Sequence, residues 1–263
     1  MPAEGFLRRG WVKFPYDPAV AEWLSHATPA ALAAIDDPKN ANWLRCGGTW
    51  FAGVNVLPNQ PDGSVEDSGP LAGNAVSFLA SQKLPFSAWD RAQISVTHPG
   101  YPRRGSGESD VAFRFRRDRD AAHVDGLKPF GPDRRRKLGE FHAFILGLPM
   151  TKASSGASPL VVWEGSHEIV RQTLASALAG SPPESWGDVD LTETYHAARR
   201  HVFETCRRVE VYAMPGEAYL VHRLALHGVA PWALGATAPP EGRVIAYFRP
   251  EFSGTPADWL QSP

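Results

Sequence analysis

Cysteine is scarce. Two residues, Cys46 and Cys206, in a chain of 263 argue against a disulfide scaffold and make a reducing cytoplasm the expected compartment. An excess of one charge sign is missing too. Lys and Arg number 27 against 28 Asp and Glu, for a formal net charge of −1. That balance does not suggest a nucleic-acid binder or a membrane-surface protein. No run of 18 apolar residues occurs, so no transmembrane helix is expected. The opening residues, MPAEGFLRRGWVKF, lack the apolar core of a signal peptide.

Apolar residues are plentiful, 43% of the chain with 11% aromatic, enough for one large core. No repeat or low-complexity linker interrupts residues 1–263, which read as a single domain. The 24 glycines and 24 prolines punctuate the chain at short intervals, which suits a β-rich fold. GWVKF (10–14), TWFAGVNV (49–56), AQISVTH (92–98), DVAFRFR (110–116), FHAFILGL (141–148), LVVW (160–163), RVEVYA (208–213) and RVIAYFR (243–249) predict strands. Asp17-Pro18 predicts a helix start, and Thr28-Pro29 a second one. Ser166 predicts a cap for a helix closed by Gly180. Asp190 and Glu193 resemble a capping box for another, whose apolar face runs through Leu191, Tyr195, Ala198, Val202 and Cys206. KPFGPDRRRK reads as a polar, basic loop. Together these predict a mainly β, α+β chain: a sandwich or jelly roll decorated by helices.

The stretch AHVDGL (122–127) carries the chemistry. On an extended strand, residues i and i+2 share a face, roughly 6–7 Å apart, so His123 and Asp125 aim at one point. Imidazole and carboxylate supply two of the three ligands of the non-heme Fe(II) facial triad. A third would come from PGEAYLVHRLALHGVAPW, which holds His222 and His227. Five residues separate these two, so on a continuous strand they face opposite sides and only one joins the site. Arg243 opens the strand RVIAYFR, placed to clamp a carboxylate with two parallel hydrogen bonds. Arg249 shares its strand face.

The order HVD, then LVVWEGSHEIV, then PGEAYLVHRLALHG, then a glycine–arginine pair opening a strand resembles the phytanoyl-CoA dioxygenase-like family, and LRRGWVKFP resembles that family's first strand. The likeness spans residues 7 to 250. It departs at Glu164, where a proline is usual, and at Val229, where a small hydroxyl residue is usual. The resemblance implies a double-stranded β-helix (a jelly-roll, cupin-like fold) with N-terminal and inserted helices. It also implies Fe(II) on His123, Asp125 and His227, with 2-oxoglutarate as cosubstrate held through Arg243, and O2. The implied activity is hydroxylation of a small molecule with release of succinate and CO2. A CoA-ester substrate is not carried over. A carboxylate at Asp125 argues against halogenation. His142, Trp163 and Arg116 are candidate substrate-pocket residues. Two other readings use the same residues: a cupin-like zinc or nickel hydrolase or isomerase, which gives Arg243 no role, and a non-catalytic binding protein.

Overall fold

A computed structural model describes residues 2 to 262. Two antiparallel sheets face one another. The larger is built from β1 (Trp11–Phe14), β2 (Leu44–Arg45), β3 (Trp50–Gly53), β4 (Gln93–Thr97), β7 (Phe144–Pro149), β10 (Ala218–His222) and β12 (Arg243–Phe248). Its strand order is β1-β10-β7-β12-β4-β3-β2. The smaller holds β8 (Leu160–Trp163) between β11 (His227–Val229) and β9 (Arg208–Val211). A separate hairpin pairs β5 (Leu127–Phe130) with β6 (Arg135–Leu138). The architecture is the expected mixed α+β jelly roll.

Strand alternation sorts the core into layers. Between the sheets lie Ile145, Tyr219, Val221, Ile245 and Tyr247 from the large sheet and Leu160, Val162 and Val211 from the small one. The opposite faces are covered by helices. Against the large sheet lies α2 (Pro18–Asp36), whose Trp23 ring sits 5.9 Å from Phe248. With it lies α3 (Asn74–Ser81), whose Phe78 meets Phe14 at 5.4 Å. Behind β8 lie α5 (Ser166–Leu178) and α6 (Thr192–Thr205). Two short helices, α1 (Pro2–Arg9) and α7 (Pro256–Gln261), complete the ends.

Several local expectations change. Thr28-Pro29 starts no new helix. Helix α2 runs through Pro29, because its apolar stripe from Val20 to Ala31 stays buried without a break. DVAFRFR is not a strand but most of α4 (Asp110–Asp118), capped by the Ser109 hydroxyl, which accepts from the Ala112 N–H. An alternation of Phe and Arg fits a partly exposed helix as well as a strand, and the cap decides between them. KPFGPDRRRK forms the β5–β6 hairpin. Asp190 and Glu193 build no box. Instead Asp190 accepts from the N–H and hydroxyl of Thr192.

Asp17 ties two helices with one carboxylate. It caps α2 by accepting from the Ala19 N–H, and its other oxygen accepts from the Asn74 N–H at the start of α3. Each cap contributes about 1 kcal/mol, so Asp17→Ala is expected to cost about 2 kcal/mol, read as a lower urea midpoint with an unchanged slope.

Candidate metal centre

The chain between His222 and His227 leaves one sheet and enters the other, so these histidines never share a strand. His222 ends β10 and is buried away from the site. There its Nδ1 accepts from the Leu224 N–H, and its ring lies 4.9 Å from that of His167. His227 opens β11. The Ser166 hydroxyl accepts from the N–H of Leu226, the residue before it. Ser166 therefore steadies the approach to His227 and does not cap α5, whose capping position is Gly165.

His123 lies on no regular strand. It makes a single antiparallel bridge with His227, in which each backbone N–H donates to the other's carbonyl, at 2.8 and 3.0 Å. Such a directly opposed pair puts both side chains on one face, and the ring centroids are 4.6 Å apart. Asp125 stands two residues later. Its Oδ1 is 3.3 Å from His123 Nε2 and 3.9 Å from His227 Nε2. Ligand atoms of the three residues all lie within 4.8 Å of one another.

Both histidines are fixed in the same tautomer. Nδ1 of His123 faces the Ala121 carbonyl at 3.0 Å, and Nδ1 of His227 faces the Ala225 carbonyl at 3.0 Å. A carbonyl only accepts, so each Nδ1 carries a proton and leaves Nε2 as the ligating nitrogen. Two imidazole nitrogens and a carboxylate oxygen thus converge, a donor set that fits a divalent cation. Burial lowers the His123 imidazole, but Asp125 outweighs that and holds it above its ordinary range, with a proton that a cation would displace. Burial, with His123 next, pushes His227 down to about 4, so it stays a neutral ligand near pH 7. Burial raises the Asp125 carboxyl, but Arg249 and the two imidazoles outweigh that and hold it well below the usual carboxylate range.

A cavity of about 460 Å³ opens beside the triad. Its walls include Trp43, Trp50, Ile145, Leu160, Tyr247 and three arginines, Arg45, Arg116 and Arg249. Arg249 approaches Asp125 Oδ2 at 3.5 Å and donates to Gln93 Oε1 at 2.7 Å. Arg116 donates from Nε and Nη2 to one carboxylate oxygen of Glu108.

Arg243 lies in the same barrel but does not border this cavity. Buried at 6% exposure, it borders a narrow hollow with Thr151, Tyr212 and Tyr219, beside the hydroxyls of Tyr219 and Tyr247. Tyr219 donates to Tyr247 at 2.9 Å, and Tyr247 reaches the metal-side cavity, so the tyrosine pair spans the gap. Gly147 lies opposite both tyrosines in the sheet register, and a Cβ there would overlap the Tyr219 ring. Trp163 does not reach the cavity. Leu160 and Val162 face inward, so Trp163 faces outward by strand alternation and meets Phe203 of α6 at 5.3 Å. His142 lines a neighbouring hollow with Glu140 and Asp90, where its Nδ1 faces the Arg249 carbonyl at 2.9 Å. Of the three pocket candidates, Arg116 alone lines the metal-side cavity. Sequence reasoning missed Trp43, Arg45 and Tyr247. Of these, Tyr247 alone carried a signal: it stands four residues after Arg243 on the same strand face.

No protein-family model and no curated protein matches the chain. Solved structures do share its fold. The non-heme α-ketoglutarate-dependent carbocyclase SnoK from nogalamycin biosynthesis matches with a TM-score of 0.52 at 12% identity, over 96% of this chain and 86% of that one. The corresponding epimerase, SnoN, matches with a TM-score of 0.51 at 13% identity, over 95% and 81%. At such identities the likeness is one of fold.

Gly228, directly after His227, allows the bridge to form. A Cβ there would overlap the Asp120 carbonyl oxygen, on the segment that delivers His123. Gly228→Ala is expected to cost about 3 kcal/mol, as overpacking against fixed backbone does. It should also weaken divalent-metal binding, measured by calorimetric titration.

Proposed function

We infer that the protein is an oxygenase dependent on Fe(II) and 2-oxoglutarate, of the phytanoyl-CoA dioxygenase-like kind, that hydroxylates a small-molecule substrate with release of succinate and CO2. His123, Asp125 and His227 would hold the metal. The observation that carries the reading is the state of Arg243. Its guanidinium is buried, no carboxylate among the described residues pairs with it, and its Nη1 has no hydrogen-bond partner. A buried cation without an anion is strongly unfavourable. A dicarboxylate in the barrel would remove that penalty, with Arg243 and the hydroxyls of Tyr219 and Tyr247 as the residues that would hold one of its carboxylates. A zinc hydrolase gives such an arginine nothing to do. The fold shared with two α-ketoglutarate-dependent enzymes agrees with this reading.

The bound iron and cosubstrate would supply oxidation of an unactivated C–H bond, for which the protein needs no acid or base. The chain's own residues do the rest. The Ala121 and Ala225 carbonyls hold the two imidazoles in the ligating tautomer. Arg249 holds the outer oxygen of Asp125 and leaves the inner one facing the imidazoles. Ile145, Leu160 and Val229 make an apolar wall that limits water near the reacting carbon.

Metal-free protein given Fe(II) and 2-oxoglutarate without oxygen should develop the visible charge-transfer band of an iron–keto acid chelate. Air should then yield succinate. Arg243→Met should weaken 2-oxoglutarate binding by on the order of 100-fold, the scale for losing a buried charge-assisted pair, while metal affinity holds. Asp125→Ala should abolish the band and succinate release. Tight zinc retention with no band would overturn the assignment.

A further inference from the structure

The three arginines of the metal-side cavity differ in what they already hold. Arg249 is engaged by Asp125 and Gln93, and Arg116 by Glu108. Arg45 is exposed and, among the described residues, meets no carboxylate and makes no side-chain hydrogen bond. It meets the Trp43 ring, with the guanidinium carbon 5.5 Å from the ring centroid. Among the described residues, the sole acid lining the cavity is Asp125, and the metal site accounts for it.

The surroundings add positive charge. Residues 103–119 contain six arginines and three acids. Each acid is taken by an arginine: Glu108 by Arg116, Asp110 by Arg104 and Asp118 by Arg117. Arg103, beyond those pairs, lies over Gly47, close to Arg45 in the chain. A cavity with this bias attracts anions although the whole chain is near neutrality.

Part of the cavity wall is aromatic, at Trp43 and Trp50. Trp50 is locked in orientation by its indole N–H, which donates to the Ser95 hydroxyl at 3.0 Å, and by an edge contact with Tyr101 at 6.3 Å. Trp43 carries Arg45 at the rim. A fixed indole at Trp50 and a planar guanidinium at Arg45 present surfaces for a flat ring and for a carboxylate. The volume, about 460 Å³, lies toward the small end of ligand pockets, about 300–1,000 Å³. Under the oxygenase reading 2-oxoglutarate shares it, which leaves room for one or two rings.

We propose that the substrate is an aromatic carboxylate of one or two rings, seated against Trp50 and Trp43 with its carboxylate on Arg45. This rests on the oxygenase reading for the reaction, but the binding geometry does not require it.

The test is calorimetric titration with 2-naphthoate and its neutral analogue 2-naphthalenemethanol. It is run on protein loaded anaerobically with Fe(II) and 2-oxoglutarate, and on metal-free protein. The naphthoate should bind about tenfold or more tighter than the alcohol, the scale of a partly exposed charge-assisted pair. That preference should shrink as salt rises. Arg45→Gln should erase it, Arg45→Lys should keep part of it, and Trp50→Leu should weaken both ligands alike. Arg45 is exposed and makes no internal hydrogen bond, so its variants are expected to fold normally, which circular dichroism checks. Equal binding of acid and alcohol, an unchanged preference in Arg45→Gln, or no binding of either overturns the proposal. Arg45-dependent naphthoate binding without any iron–keto acid band would sink the oxygenase reading and leave the ligand class standing. The band without naphthoate binding would do the reverse.

Discussion

His123 and His227 are opposed across one pair of backbone hydrogen bonds, and the position of every ligand depends on that exchange. The bridge is isolated, with no ladder on either side to enforce it. Its stability is therefore borrowed from the flanks. Asp120, three residues before His123, accepts from both Nε and Nη2 of Arg208, each at 2.8 Å, and its carbonyl accepts from the Val229 N–H. The Tyr195 hydroxyl accepts from the Val124 N–H at 3.3 Å. Gly228 removes the one side chain that would hold the segments apart. A short irregular stretch is thus held as firmly as a strand, while both imidazoles point to the same side.

Strand β12 distributes the charge. Arg243, Ile245, Tyr247 and Arg249 succeed one another at two-residue intervals, so all four face the interior between the sheets. Arg249 ends the row at the metal side and Arg243 begins it at the far side. The two guanidiniums are separated by an apolar residue and a tyrosine, which permits two anions in one barrel without bringing two cations together. The same alternation leaves Val244, Ala246 and Phe248 to the helix-covered core. A one-residue slip in this strand would exchange the two sets and destroy core and site together.

Local periodicity accounts for the part of the site that was legible in the sequence. The pairing of His123 with Asp125 needed only the two-residue spacing, and the shared face of Arg243 and Arg249 only the six-residue one. The choice of His227 over His222 came from family likeness. Spacing alone could not show that Arg223–Leu226 carries the chain from one sheet to the other. Trp163 was misplaced among pocket residues because LVVW shows a short apolar strand but not which parity faces inward. Trp43 and Arg45 were out of reach for a different reason. They reach the site through β2 and β3 at the edge of the large sheet, a pairing with β4 across some forty residues, and non-local registers leave no trace in a window of neighbours. Helix α4 was lost to an alternation that two secondary structures satisfy.

Fold and triad together still do not determine the reaction. SnoK and SnoN share this architecture, yet one is a carbocyclase and the other an epimerase. A common scaffold supports different outcomes because function lives in the site grafted onto it. What distinguishes one such site from another is the set of side chains that line the cavity. Here that wall is apolar beside the triad, at Ile145, Leu160 and Val229, and cationic at its rim, at Arg45. Tyr247 adds a hydroxyl to that wall, so the outcome turns on where these few polar groups stand relative to a bound substrate and not on the scaffold that carries them.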